Sequence, residues 1–455
     1  MGHQAQHELN TSSAMKAAEN PIIHTPSRRA SNLKRTVRLS SPQLALHGGT
    51  PVRTEPFPTW PQYGAAERRA AMKVFEANRV AFPSGKDWQV KGERRLALEQ
   101  AFAAFHNCRH GITTTSGTSA LMVALRASGV MPGDEVLIQS YMCMADTEAI
   151  VQVGAVPMFC DIDRKNYGID LERLEEYITP RTAAVIAIHY GGYMIDMLRL
   201  HGIASRHGIA VVEDASLAHG ATWNGIRVGN FSKLTVMSFG IDKLLTVGEG
   251  GIIVTNDDAL ADLCASLRNS GTAAYVSREI AENRALCEFS DAPRSGWNFR
   301  LTEIPAAIGL EGLKKLPSQI ARRHANGLYL DEHLKNIEGV EPLETDQRQT
   351  LHPHGLYLFR IDKERFGLDK ETFIKAANAE GIPALYGYHN PVYGYSVFRQ
   401  QQKYRNLRQE EAERACQEGV WLSQAVLLGS RKDMKDIVRA FTKIRENVAA
   451  LREGR

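Results

Sequence analysis

The sequence predicts an α/β fold: a mixed, mostly parallel seven-stranded sheet in a large domain, followed by a smaller C-terminal α+β domain. Three observations carry this. Seven short apolar runs recur between residues 111 and 255. Helical patterns sit between most of them. Beyond Asp257 the alternation stops and a different mixture of helices and strands follows. Short apolar strands alternating with helices imply parallel pairing with both sheet faces covered.

The strand runs are Gly111–Thr115, Glu135–Gln139, Val156–Cys160, Ala183–His189, Ala210–Glu213, Leu234–Phe239 and Gly251–Thr255. Helices are expected over 64–79, 91–106, 118–129, 145–153, 171–178 and 196–207, where apolar residues recur at helical spacing. The link between the last two strands is too short for a helical crossover, so one strand there is expected to run antiparallel or to come from elsewhere in the order. A helix over 257–269 and a polar surface loop over 270–296 follow. A long helical segment then runs from about Thr302 to His333, with a kink expected at Pro317. The run at 354–361, a helix over 370–380, a loop over 383–397 and helices over 408–418 and 431–452 complete the second pattern.

At 455 residues the chain is long enough for two or three domains. The expected division is a disordered basic arm over 1–43, a large domain over 44–315 with an extended Pro/Gly-rich lead-in, and a small domain over 316–455. The net charge of +4 resides in the first 40 residues, and the remainder is balanced. A Ser/Asn/Ala-rich arm without apolar periodicity reads as disorder, and no nucleic-acid partner is expected. No apolar stretch is long enough for a membrane span. The six cysteines are scattered without a Cys-x-x-Cys pair, which argues against a zinc ribbon or disulfide framework and suits the cytoplasm. No metal site is expected.

Three motifs carry chemistry. In TTTSGTSALMVALRASG (Thr113 to Gly129) a strand ends, a Ser-Gly-Thr turn follows and a helix begins. The unpaired N–H groups of that first turn form a phosphate site, with Gly117 allowing close approach and Thr118 offering N–H and hydroxyl. Taken alone, the motif reads more readily as a well-capped helix. In VVEDASLAHGA (Val211 to Ala221) Asp214 closes a strand and faces the crevice where α/β folds bind ligands. There it suits a protonated pyridine nitrogen, while Glu213 alternates to the other side as a structural residue. In SFGIDKLLTVGEGG (Ser238 to Gly251) Ser238 can donate to a phosphate and Lys243 can supply a nucleophilic amine. A lone lysine is ordinarily a solvated charge. Phosphate cradle, ring acid and amine together suit one cofactor, pyridoxal 5'-phosphate (PLP).

These motifs, together with SGWNFRLTEIPAAIG (Ser295 to Gly309), resemble the DegT/StrS family of PLP-dependent sugar aminotransferases. The likeness runs from about Leu44 to near the C-terminus. TPRTAAVIAIHYGGYMIDM (Thr179 to Met197) and GYHNPVYGYSVF (Gly387 to Phe398) are similar to the branch acting on ketocyclitols and to 3-amino-5-hydroxybenzoate synthases. The resemblance implies the fold type I aminotransferase architecture. It implies that Lys243 is the Schiff-base lysine and proton shuttle and that Asp214 holds the ring nitrogen. It implies that Gly117, Thr118 and Ser238 bind the phosphate, and that Asn298 reaches the phosphate of a neighbouring subunit in a homodimer. His189 matches a family histidine and receives no role.

The sequence also departs from the family pattern. Cys143 stands where an aromatic stacks on the pyridine ring, Leu217 stands where Gln or His faces the ring hydroxyl, and Pro305 replaces a common glutamine. Tyr141 or His219 could compensate for the altered ring contacts. The expected reaction moves an amino group from glutamate or glutamine to a keto-sugar, sugar nucleotide or ketocyclitol, in amino-sugar or secondary-metabolite biosynthesis. The alternatives are a PLP-dependent sugar dehydratase and a non-catalytic regulator on the same fold. Specificity is expected in the loops over 270–296 and 383–397.

Overall fold

The seven strand runs all form, each within one residue of the expected limits. They are β1 (His110–Thr114), β2 (Glu135–Gln139), β3 (Val156–Cys160), β4 (Thr182–Ile188) and β5 (Ala210–Asp214). After a small hairpin of β6 (Thr222–Trp223) and β7 (Ile226–Arg227) come β8 (Leu234–Ser238) and β9 (Gly251–Thr255). The chain is described here from a computed structural model covering residues 43–77, 92–272 and 292–453. All but the last residue of the arm expected over 1–43, and most of the loop expected over 270–296, lie outside the described residues.

The main sheet has the order β1-β9-β8-β5-β4-β2-β3. Pairing is parallel from β3 through β2, β4 and β5 to β8. β9 is the antiparallel member, inserted between β8 and β1. The short link Phe239–Gly250 explains this, since no crossover helix fits within it. With β9 reversed, β1, β2, β4, β5 and β8 all end at one edge, and β9 starts there. Gly251 sits opposite both Thr114 and Ser238.

The helices before and after the strands are α1 (Ala65–Glu76), α2 (Glu93–Phe105), α3 (Gly117–Ala127), α4 (Met144–Gln152), α5 (Met197–His207) and α6 (Asp258–Arg268). The helix expected over 171–178 is only a 3₁₀ turn, Leu174–Tyr177. Extended Ile178 and the Thr179-Pro180 pair cut it short. α3 buries Leu121, Val123 and Leu125 beneath the sheet, each contributing about 1.5–3 kcal/mol.

α7 (Glu303–Leu334) is a single 32-residue helix with Pro317 inside it. It packs on α1 and α2, and the boundary expected near residue 315 falls within it. Beyond it, β10 (Val340–Pro342), β12 (Leu356–Ile361), β13 (Ala384–Tyr386) and β14 (Gly419–Ser423) form a second, antiparallel sheet, ordered β10-β12-β14-β13. β11 (Gln349–Leu351) instead joins the β6–β7 hairpin. Helices α8 (Lys363–Phe366), α9 (Lys370–Ala379), α10 (Ser396–Arg399), α11 (Glu410–Glu418), α12 (Arg431–Glu446) and α13 (Val448–Glu453) accompany this sheet. Its core of Tyr357, Phe359, Phe373, Val420 and Phe441 is separate from the clusters around the main sheet. The region expected as a loop over 383–397 thus supplies an edge strand and a short helix. Among the described residues no helix is long and apolar enough to cross a membrane.

Candidate active site

The shared strand edge gathers most of the expected site residues. β1 delivers Ser116 as the N-cap of α3, where its hydroxyl accepts from the Ser119 N–H at 3.0 Å while the Ser119 hydroxyl accepts from the Ser116 N–H at 2.8 Å. This capping box leaves the N–H groups of Gly117 and Thr118 without a partner among the described residues, at the positive end of the helix. Gly117 abuts Ser238: a Cβ at 117 would lie 2.8 Å from the Ser238 Cβ and 3.0 Å from its Oγ. Glycine is therefore required for α3 to start against the end of β8. The Ser238 Oγ accepts from the Gly240 N–H at 3.1 Å, so its own proton points elsewhere. Two N–H groups and a hydroxyl are thus placed to donate to one anion.

Asp214 closes β5 and is 5% exposed. Its Oδ1 accepts from the Ser216 N–H at 2.7 Å, an Asx turn that fixes the carboxyl at the strand end. Glu213 faces the opposite side, fully buried. There it accepts from the Thr235 hydroxyl at 2.6 Å and from His189 Nε2 at 2.8 Å. The Ile195 N–H donates to His189 Nδ1, so the His189 proton sits on Nε2 and the pair is a structural clasp between β4 and β5.

Lys243 follows β8 in a tight turn, its N–H donating to the Gly240 carbonyl at 3.1 Å. Its side chain is 17% exposed, with Nζ 3.2 Å from Asp242 Oδ2. The amine also acts electrostatically on Asp146 and on His219. His219 is fully buried against Phe102 and Phe239, and burial holds it neutral by pushing its pKa well below the ordinary value.

Asp146 was not singled out from the sequence. It lies in the first turn of α4, is 5% exposed, and has its carboxyl hydrogen-bonded to that of Asp214. An aspartate early in a helix reads from sequence as a partner for the helix dipole, and the carboxyl contact emerges only from the fold.

The ring-contact positions also differ in placement. Cys143 is exposed as the N-cap of α4, with no side-chain cap bond. Tyr141 is locked in the interior, edge-on to Tyr167, Tyr190 and Tyr388, and its hydroxyl accepts from Trp421 Nε1 at 3.2 Å. Leu217 packs on the main core. Asn298 is exposed and bridged to Asn269. A cavity of about 680 Å3 lined by Asp196, Arg199, Trp223 and Arg348 includes none of these residues, and its Arg348 is already paired with Asp196 at 2.7 Å.

The DegT/DnrJ/EryC1/StrS aminotransferase family matches residues 71–442. The chain belongs to this family. This aminotransferase is 34% identical over 422 residues to the L-glutamine:2-deoxy-scyllo-inosose aminotransferase of Micromonospora echinospora, covering 90% of this chain and 99% of that one. It is 33% identical over 428 residues to the protein of the same name from Streptomyces kanamyceticus, covering 91% and 99%. Among solved structures it is similar to a 3-amino-5-hydroxybenzoic acid synthase, at 29% identity and a TM-score of 0.76, covering 88% of this chain and all of that one. The aminotransferase from Psychrobacter cryohalolentis shares the fold, with a TM-score of 0.78 over 87% of this chain and 100% of that one, at 24% identity. The fold type I aminotransferase architecture and the aminotransferase assignment both follow from these matches.

Proposed function

We propose that this aminotransferase uses PLP to move the amino group of L-glutamine or L-glutamate to a ketocyclitol or related keto-sugar. The observation that carries the reading is the convergence of Gly117, Asp214, Ser238 and Lys243 on one sheet edge. The donor set fits the cofactor. Two helix-start N–H groups and a hydroxyl suit a phosphate, a buried carboxyl suits a ring N–H, and a mostly covered primary amine suits the aldehyde. The donor and acceptor classes rest on the relatives named for L-glutamine and 2-deoxy-scyllo-inosose.

Bound there, PLP supplies an electron sink for the pair of electrons left when a proton leaves the carbon beside the amine. The residues of the chain do the rest. The start of α3 and Ser238 anchor the phosphate and fix the ring in the crevice. Asp214 keeps a proton on the ring nitrogen. Lys243 would take the proton from the carbon that bears the donor's amine and hold it for return, with the reverse serving the acceptor.

A homodimer belongs to this reading. Asn298 is exposed, as a residue open to a second subunit would be, and it matches the family asparagine. A cytoplasmic setting is supported by the cysteines among the described residues, 108, 143, 160, 264 and 416, which are unbridged there.

Nitrogen transfer tests the reading. PLP-loaded protein given L-glutamine labelled with ¹⁵N in the α-amino group and 2-deoxy-scyllo-inosose is expected to yield labelled aminocyclitol. Loss of the ketocyclitol oxygen without nitrogen incorporation would establish the dehydratase alternative, and PLP binding without any turnover would favour the regulator.

A further inference from the structure

Asp146 and Asp214 come from different elements, α4 and β5, and are each 5% exposed. Their carboxyls hydrogen-bond to one another. Asp146 Oδ1 is buried and meets no donor among the described residues. Two carboxylates cannot both stay ionised in such a place, because like charges a hydrogen bond apart in a dry environment repel strongly. One proton must therefore lie between them. Asp214 already accepts from the Ser216 N–H while Asp146 Oδ1 meets no donor among the described residues, so the proton sits on Asp146 and is donated to Asp214.

We propose that Asp146 is a positioning residue of the cofactor site: its protonated carboxyl donates to Asp214 and sets the orientation and charge of the group that meets the ring nitrogen. The proposal rests on the PLP reading above. In the apoprotein the pair carries a single negative charge, matching the single positive charge of a protonated pyridine ring.

Among the described residues, four groups act on Asp146. Asp214 reaches it from β5, Lys243 from the turn after β8, Cys143 from the cap of its own helix, and Tyr388 from the segment after β13. Burial, then the Asp214 charge and hydrogen bond, raise the Asp146 pKa well above the ordinary carboxylate value, and Lys243 opposes them. A folded-state pKa raised above the unfolded one gives stability that is complete at low pH and is lost as pH climbs toward the folded value. The competing account makes Asp146 an ordinary first-turn acid facing the α4 dipole, which needs its charge and not its proton.

The experiment compares wild type, Asp146→Asn and Asp146→Thr. Each is unfolded as apoprotein from pH 5 to 8, then loaded with PLP and its absorption followed over the same range. Asn and Thr can both donate to Asp214 without a proton equilibrium. The expected result is a folded-to-unfolded ratio that falls with pH in the wild type by up to about tenfold per unit relative to either variant. The midpoint of the PLP absorption change should also move in the variants. Either variant suffices if the other does not fold. Parallel stability profiles with an unmoved absorption midpoint would overturn the proposal and support the dipole account. A wild type that takes up no PLP would overturn the cofactor reading and this proposal with it.

Discussion

Two buried acidic centres lie beside the same phosphate cradle, and they are treated in opposite ways. Glu99 on α2 is clamped by Arg95 Nη1 at 2.8 Å, by Arg268, and by the Thr113 N–H and hydroxyl at 2.9 and 2.8 Å. Burial alone would raise its pKa, but Arg95 and Arg268 prevail and hold it at about 2. Asp214 and Asp146 are buried as deeply, yet Asp146 meets another carboxyl, with Lys243 as the opposing cation. The Glu99 centre is closed. It ties α2, β1 and α6 together behind the cradle. The Asp214 centre is left one cation short, which is the condition for receiving a protonated ring. A neutralised acid builds the scaffold, and an under-neutralised one marks the site.

This contrast can be broken or sharpened by substitution. The largest effect is expected at the cation of the open centre. Lys243→Ala should lower transamination by about 10³-fold while leaving the fold intact, because it removes both nucleophile and proton carrier. Steady-state amino transfer and circular dichroism measure this, and retained turnover would remove Lys243 from the mechanism. Next comes the closed centre. Glu99→Gln leaves Arg95 and Arg268 buried beside a neutral group, and should cost about 3–5 kcal/mol in urea unfolding.

The same residue predicts an acid limb. Its folded pKa is depressed below 4.5 to about 2, so its contribution is complete above pH 4.5 and is lost as pH falls toward 2. That is roughly 3 kcal/mol, and Glu99→Gln should flatten this limb. The smallest effect is at Leu217. Leu217→Gln restores a polar side chain near the ring hydroxyl and should tighten PLP by about fivefold, the worth of one hydrogen bond, with a shifted absorption band. An unchanged spectrum would show that no contact is missing there.

The main sheet was legible because each strand is a short apolar run bounded by turns and separated by helices, so that period and length agree. The length of one link allowed either a reversed strand or one from elsewhere in the order, and β9 is the reversed strand. The second sheet was harder to read. β14 begins at Gly419 directly after α11, with no turn to announce it, and β13 is three residues inside a Gly/Pro/Tyr-rich segment. β11 pairs with β6, far earlier in the chain, and such a register cannot be inferred from local pattern. In the site, Gly117, Asp214, Ser238 and Lys243 stood out through motif and strand-end position. Asp146 did not, because its partner is on another element and the signal lies in the pairing of two carboxyls.

The central claim, that Lys243 is the amine joined to PLP beneath the Asp214 carboxyl, has a direct measurement. PLP-loaded protein is reduced with borohydride, digested, and mapped by mass spectrometry. The account predicts a pyridoxyl group on the peptide carrying Lys243. A pyridoxyl group on another lysine, or on none in protein that has bound PLP, would contradict it.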